Sequence, residues 1–178
     1  MSELRVVVDH LRLNYTGPFD ATDLFRHITA FLNERGFDFK IDKDFEHSTQ
    51  SGKQIEWQIN PWKRLTDNIR WIPKVRVLVN DYSKVDAIVE KKKVKVGHGK
   101  VTMYIDAYME LDESNRWEAY PAFQFLRTLY NVFFYKIYTE RFEQRLNQDM
   151  HHLYNTIEQF FNVYKHYQVP SRIQLMRP

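Results

Sequence analysis

The chain contains no cysteine. That absence removes disulfide frameworks, thiol nucleophiles and every thiolate-ligated metal site, and it leaves the redox compartment open. Glycine and proline are sparse, 5 and 6 among 178 residues. There is accordingly no glycine-rich phosphate loop, and GHGK at 97–100 lacks the spacing of a Walker motif. Nowhere do 18 apolar residues run together without a charge, so no membrane insertion is expected. MSELRVVVDH has no basic segment leading to a small-residue cleavage site, which makes a cytoplasmic location the expectation. The histidines, His10, His27, His47, His98, His151, His152 and His166, form no HExxH or other metal spacing. No metal and no cofactor are expected.

What is abundant is aromatic and apolar. With 4 Trp, 11 Tyr and 13 Phe, and 43% hydrophobic residues, the chain is too apolar to stay unfolded and long enough to bury a core without staples. The net charge of +3 is ordinary solubility charge. A single domain over 1–167 is expected, its last helix running on distally from about 146, with 168–178 as a tail.

Leu4, Val6 and Val8 alternate on one face, then Leu11, Leu13 and Tyr15 on another after a one-residue slip at Asp9-His10, which a bulge near His10 reconciles. TGPFD turns the chain, Asp20 caps a helix over 21–35, and Phe19 with Leu24 can staple its start. Leu24, Ile28, Phe31 and Leu32 supply its apolar stripe and Gly36 its stop. FDFKID and IEWQIN alternate as a pair of strands. IRWIPKVRVLVND alternates around Pro73, which should sit at an edge or a break. VDAIVEKKKVKV and KVTMYIDAYMEL then form a hairpin with GHG at its tip, and Val101, Met103, Ile105, Ala107, Met109 and Leu111 make an unbroken inward row.

From Pro121 to His166 no glycine or proline interrupts a helical pattern. Its first half has a broad apolar face suited to covering a sheet. The distal part shows Leu146, Met150, Leu153, Ile157, Phe160 and Tyr164 at alternating steps of four and three, a coiled-coil-like seam widened by Tyr154 and Phe161. A straight helix of that length reaches about 70 Å, more than one domain is wide. The seam is therefore expected to lie beyond the sheet and to serve as the interface of a homodimer through residues 146–164 or, if the helix breaks near Asn147, to fold back on residues 21–35 or elsewhere on its own domain. The fold class is α+β: an antiparallel sheet of about six strands packed on a long C-terminal helix, with one short helix after the first strand.

This order of elements, with the hairpin VEKKKVKVGHGKVTMYIDAYMEL and the helix after it, resembles the START-like or helix-grip superfamily over residues 4 to about 145. The resemblance implies a curved sheet wrapped on the last helix, often around a ligand cavity. It brings no catalytic residue with it.

Three functions follow as expectations. The first is a non-enzymatic, helix-grip-like module that binds an apolar small molecule or serves protein assembly, with Trp57, Trp71, Met103, Ile105, Trp117, Tyr130 and Phe133 lining the sheet–helix junction. The second is a nucleic-acid-associated protein docking through the basic 91–100 hairpin, with Lys91, Lys92, Lys93, Lys95, His98 and Lys100 as phosphate contacts. The third is a small lyase or cyclase in the sheet–helix cavity, for which the chain offers no catalytic motif; Asp106 between Tyr104 and Tyr108 is its one acid or base, against the plainer role of an open sheet face. Asp149 and His152, spaced i,i+3, read as a solvated helix face.

Overall fold

The computed structural model describes residues 3–49, 52–89, 92–111 and 136–165. Five strands form one antiparallel sheet: β1 (Glu3–Pro18), β2 (Asp38–Thr49), β3 (Gly52–Thr66), β4 (Ile69–Val89) and β5 (Lys92–Leu111), in the order β1-β5-β4-β3-β2. Helix α1 (Ala21–Glu34) follows β1, and α2 (Lys136–Tyr164) closes the described chain. The protein is thus α+β, with a short helix after the first strand and a long C-terminal helix.

Alternation in β5 predicts the layers. Val101 to Leu111 bury every second side chain in one core with α1 and α2, while Thr102, Tyr104, Asp106, Tyr108 and Glu110 lie on the opposite, half-exposed face. The slip in β1 is a bulge: pairing with β5 shifts between Val8 and Leu11, and His10 takes the left-handed φ of 50°. Asp20 caps α1 by accepting from the amides of Thr22 and Asp23, Phe19 and Leu24 are fully buried, and Gly36 leaves the helix at φ 69°.

One strand expectation changes and another is narrowed. IRWIPKVRVLVND and VDAIV are one strand, the 21-residue β4. Pro73 takes the second of its two expected places, a break rather than an edge, since β4 lies between β5 and β3. The ladder pairs Ile59 with Val75 and Lys63 with Trp71, a register that sets Pro61 opposite Pro73. Two residues without amide donors meet there, so the break leaves no N–H of either proline unpaired.

The hairpin also turns elsewhere. Val89 pairs with Lys92, so the reversal falls at residues 90–91, and GHG lies inside β5 with Gly97 opposite Lys84 and His98 opposite Ser83. Gly97 admits the Tyr82 ring, and Gly99 admits the backbone at Asn80 and Tyr82. A Cβ on Gly97 would lie 2.2 Å from the Tyr82 hydroxyl, and one on Gly99 would lie 3.0 Å from the carbonyl of Asn80. Tyr82 follows a second bulge, at Asp81, whose φ is 55°.

The helix changes most. The stretch from Pro121 to Tyr135 lies outside the described residues, and the distal seam is not left over. Leu146, Met150, Leu153 and Ile157 are completely buried, Phe160 nearly so, and Tyr164 packs against the same core. Helix α2 lies across β1 and β5 and beside α1. The 146–164 seam is therefore spent inside the chain rather than kept for a second copy. The four-three spacing is the same whether a helix meets another helix or a sheet, which is why periodicity alone placed it outside.

Asp149 is not on a solvated face. It is 7% exposed and pairs with Arg35 at 3.0 Å, and Arg35 also meets the His152 ring and lies over Phe31. At the other end, Arg5 of β1 donates to Glu143 at 2.6 Å. These contacts hold α2 at two points, one on α1 and one on the sheet.

Candidate functional site

The described part of the sheet–helix junction is a packed core. Trp57, Trp71, Met103 and Ile105 are buried members of the core, Trp57 tilted against Phe25 at 5.1 Å and Trp71 stacked on Phe37 at 6.1 Å. They pack as core side chains. Trp117, Tyr130 and Phe133 lie outside the described residues. The Trp71 indole N–H is buried without an acceptor among the described residues, and desolvating such a group costs about 1–3 kcal/mol.

A cleft of about 330 Å³ lies elsewhere, along the edge of the sheet. One wall is β1 from Leu13 to Thr16, and the other is the last turns of α2, with Tyr154, Glu158, Phe161 and Lys165. Strand order explains its position: β1 pairs only with β5 among the described residues, and α2 crosses over it. Tyr15 and Phe161 form the aromatic floor, stacked at 4.2 Å and 14°. The Tyr15 hydroxyl donates to the Pro18 carbonyl at 2.9 Å, and burial, with the neighbouring Tyr164 hydroxyl adding to it, pushes its pKa up to about 12. It stays neutral at any physiological pH and acts as a fixed dipole. Tyr154 and Phe161 carry a signal in the sequence only as wideners of the seam. Nothing there tells that β1 is an edge strand.

The basic segment divides. Lys91 lies outside the described residues. Lys92, Lys93 and Lys95 pair with Val89, Ile88 and Asp86 in the β4–β5 ladder. His98 is not at a tip but in the body of the sheet, between Ser83 of β4 and Pro18 of β1. Lys100 is exposed, 3.6 Å from Asp81.

A third group of residues forms at the β1 bulge. His10 donates its backbone N–H to Asp106 Oδ1 at 2.8 Å, and its ring Nδ1 lies 2.6 Å from Asp9 Oδ1 and 3.3 Å from Asp106 Oδ1. The hydrogen bond to Asp9, then the charge of Asp106, raise the His10 pKa above its ordinary value. Tyr104 and Tyr108 flank Asp106 as expected, but each carries a cation on its face, Arg12 at 5.5 Å and Lys74 at 5.2 Å. Asp106 therefore has His10 as its close partner rather than the two tyrosines.

No protein-family model, curated protein or solved structure matches the chain. What stands is the architecture, a sheet packed on a long helix in a generic helix-grip-like arrangement.

Proposed function

We propose that the protein is a non-enzymatic binding and assembly module that takes an extended peptide segment along β1, beneath the end of α2. The observation that carries this is the cleft, walled on one side by four consecutive residues of an edge strand and on the other by a helix. An edge strand directs alternate N–H and C=O groups away from its sheet, so a peptide can add as a further strand. Alternate side chains of that peptide would then enter the cleft. Its aromatic floor favours an apolar side chain, and Glu158 and Lys165 offer charges of both signs at the rim. The volume is at the small end of ligand sites, about 300–1,000 Å³, and suits a few side chains better than a bulky lipid.

Random peptides displayed on phage and selected on the full chain supply a test ligand. On titration it should perturb the amides of residues 13–16 and 158–165. Filling the cleft with Thr16→Trp and Asn162→Trp, both at exposed positions, should weaken binding by more than about tenfold, or 1.4 kcal/mol, with thermal unfolding unchanged. Peptides whose affinity ignores those two substitutions would end the proposal.

Nucleic acid is a second class of partner, favoured by one further observation. Pairing of β3 with β4 stops at Tyr82 and pairing of β1 with β5 stops at His98, while β4 and β5 stay paired out to Val89 and Lys92. Beyond the sheet they continue as a two-stranded ribbon carrying Lys84, Lys92, Lys93 and Lys95 against Asp86. A two-stranded ribbon is narrow enough for a major groove about 12 Å wide. Anisotropy titrations of duplex DNA at several salt concentrations should show binding that weakens with salt. Changing Lys92, Lys93, Lys95 and Lys100 together to Gln should flatten that slope by about 3–4 log units per log unit of salt. No binding by the parent protein at low salt would remove this class.

A further inference from the structure

We propose that Asp9, His10 and Asp106 form a binding site for a divalent first-row transition-metal cation at the β1–β5 bulge. In a regular strand Asp9 and His10 would point to opposite faces of the sheet. The register runs from Val8 opposite Ala107 to Leu11 opposite Ile105, so Asp9 and His10 together face the single residue Asp106. Two residues against one is what a bulge does, and here it turns an acid and an imidazole toward a third ligand. The left-handed His10 backbone is pinned by its N–H bond to Asp106.

The donor atoms, one from each residue, lie within 4.8 Å of one another. Two ligands held at about 2.0–2.2 Å by one cation stand roughly 3 Å apart, and His10 Nδ1 lies 2.6 and 3.3 Å from the two carboxylates. Small movements of side chains with room to move would complete the geometry. One imidazole with two carboxylates suits zinc, nickel or manganese better than calcium, which takes six to eight oxygens. Three protein ligands leave positions for water. Two cationic side chains on the same strands are turned to rings: Lys74, opposite Asp106, lies over Tyr108, and Arg12 lies over Tyr104 and donates to Asn14.

Isothermal titration of the full chain with zinc, nickel and manganese chlorides, each alone, tests the site. A saturable one-to-one stoichiometry is expected for at least one of them, with manganese broadening the amide signals of His10 and Asp106. His10→Gln and Asp106→Asn should each weaken binding by more than about tenfold, since even outer-shell partners of a metal are worth that much. Asp106→Asn keeps an acceptor for the His10 amide, so its fold should survive. Absence of saturable binding would overturn the proposal. So would binding that both variants leave unchanged, which would place the ion elsewhere, for instance at His151 and His152.

Discussion

Replacing Leu153 with Glu, together with Ile157 with Glu, is expected to unfold the protein. Both side chains are at 0% exposure. Truncating a core leucine or isoleucine costs about 2–5 kcal/mol. Glutamate adds a carboxylate that must lie unpaired in the core, take up a proton there, or pull the helix off the sheet. Two such losses are comparable with the whole stability of a domain, about 5–15 kcal/mol. Had the seam been the interface that its spacing suggests, the same pair would have left a folded monomer. Far-ultraviolet circular dichroism and urea titration distinguish the two outcomes, with Asn155→Glu, on the exposed side of α2, as a control expected to stay within about 0.5 kcal/mol. A folded double variant with a cooperative transition would contradict the burial of this helix.

Local patterns carried the elements whose cause is local. The alternation of Val101 to Leu111 names its buried face because every second residue is apolar, and the slip at Asp9-His10 marks the bulge because alternation fails there. The Asp20 cap and Gly36 stop work within one turn of helix. What stayed hidden depends on partners far away in the chain. Asp149 looks solvated until α1 brings Arg35 to it. The cleft exists because β1 is an edge strand among the described residues, which follows from the strand order β1-β5-β4-β3-β2. His10 and Asp106 meet for the same reason, and the slip that reveals the bulge does not reveal which residue lies across from it. Trp57, Trp71, Met103 and Ile105 were legible as the junction between sheet and helix, but composition cannot tell a packed junction from a hollow one.

The glycines of GHG provide the sharpest contrast between a local and a tertiary cause. Gly97→Ala is expected to destabilise the protein by about 1–3 kcal/mol, the usual cost of forcing extra volume into a packed site. The added methyl would meet the Tyr82 ring at 2.2–2.3 Å. That ring has little room to yield, because it packs 5.4 Å from the fully buried Phe19 and its hydroxyl accepts from the Ala21 amide at 3.4 Å. The strand cannot easily yield either, since the Gly97 carbonyl accepts from the Phe19 amide at 2.8 Å. Gly97 does not have the positive φ that would itself demand glycine. Removing Tyr82 should therefore reverse the sign: in a Tyr82→Ala background, Gly97→Ala should be neutral or stabilise by about 0.4–1 kcal/mol, because alanine restricts the unfolded chain. The resulting coupling, measured by urea titration of the four proteins in the cycle, should exceed about 1 kcal/mol. Gly99→Ala provides the comparison. Its methyl would meet the backbone carbonyl of Asn80 at 3.0 Å, an atom that Tyr82→Ala does not remove, so its cost should persist in both backgrounds. If the Gly97 cost persisted as well, glycine would be required there by the backbone, as at a hairpin tip, and the close approach of Tyr82 would not be its cause.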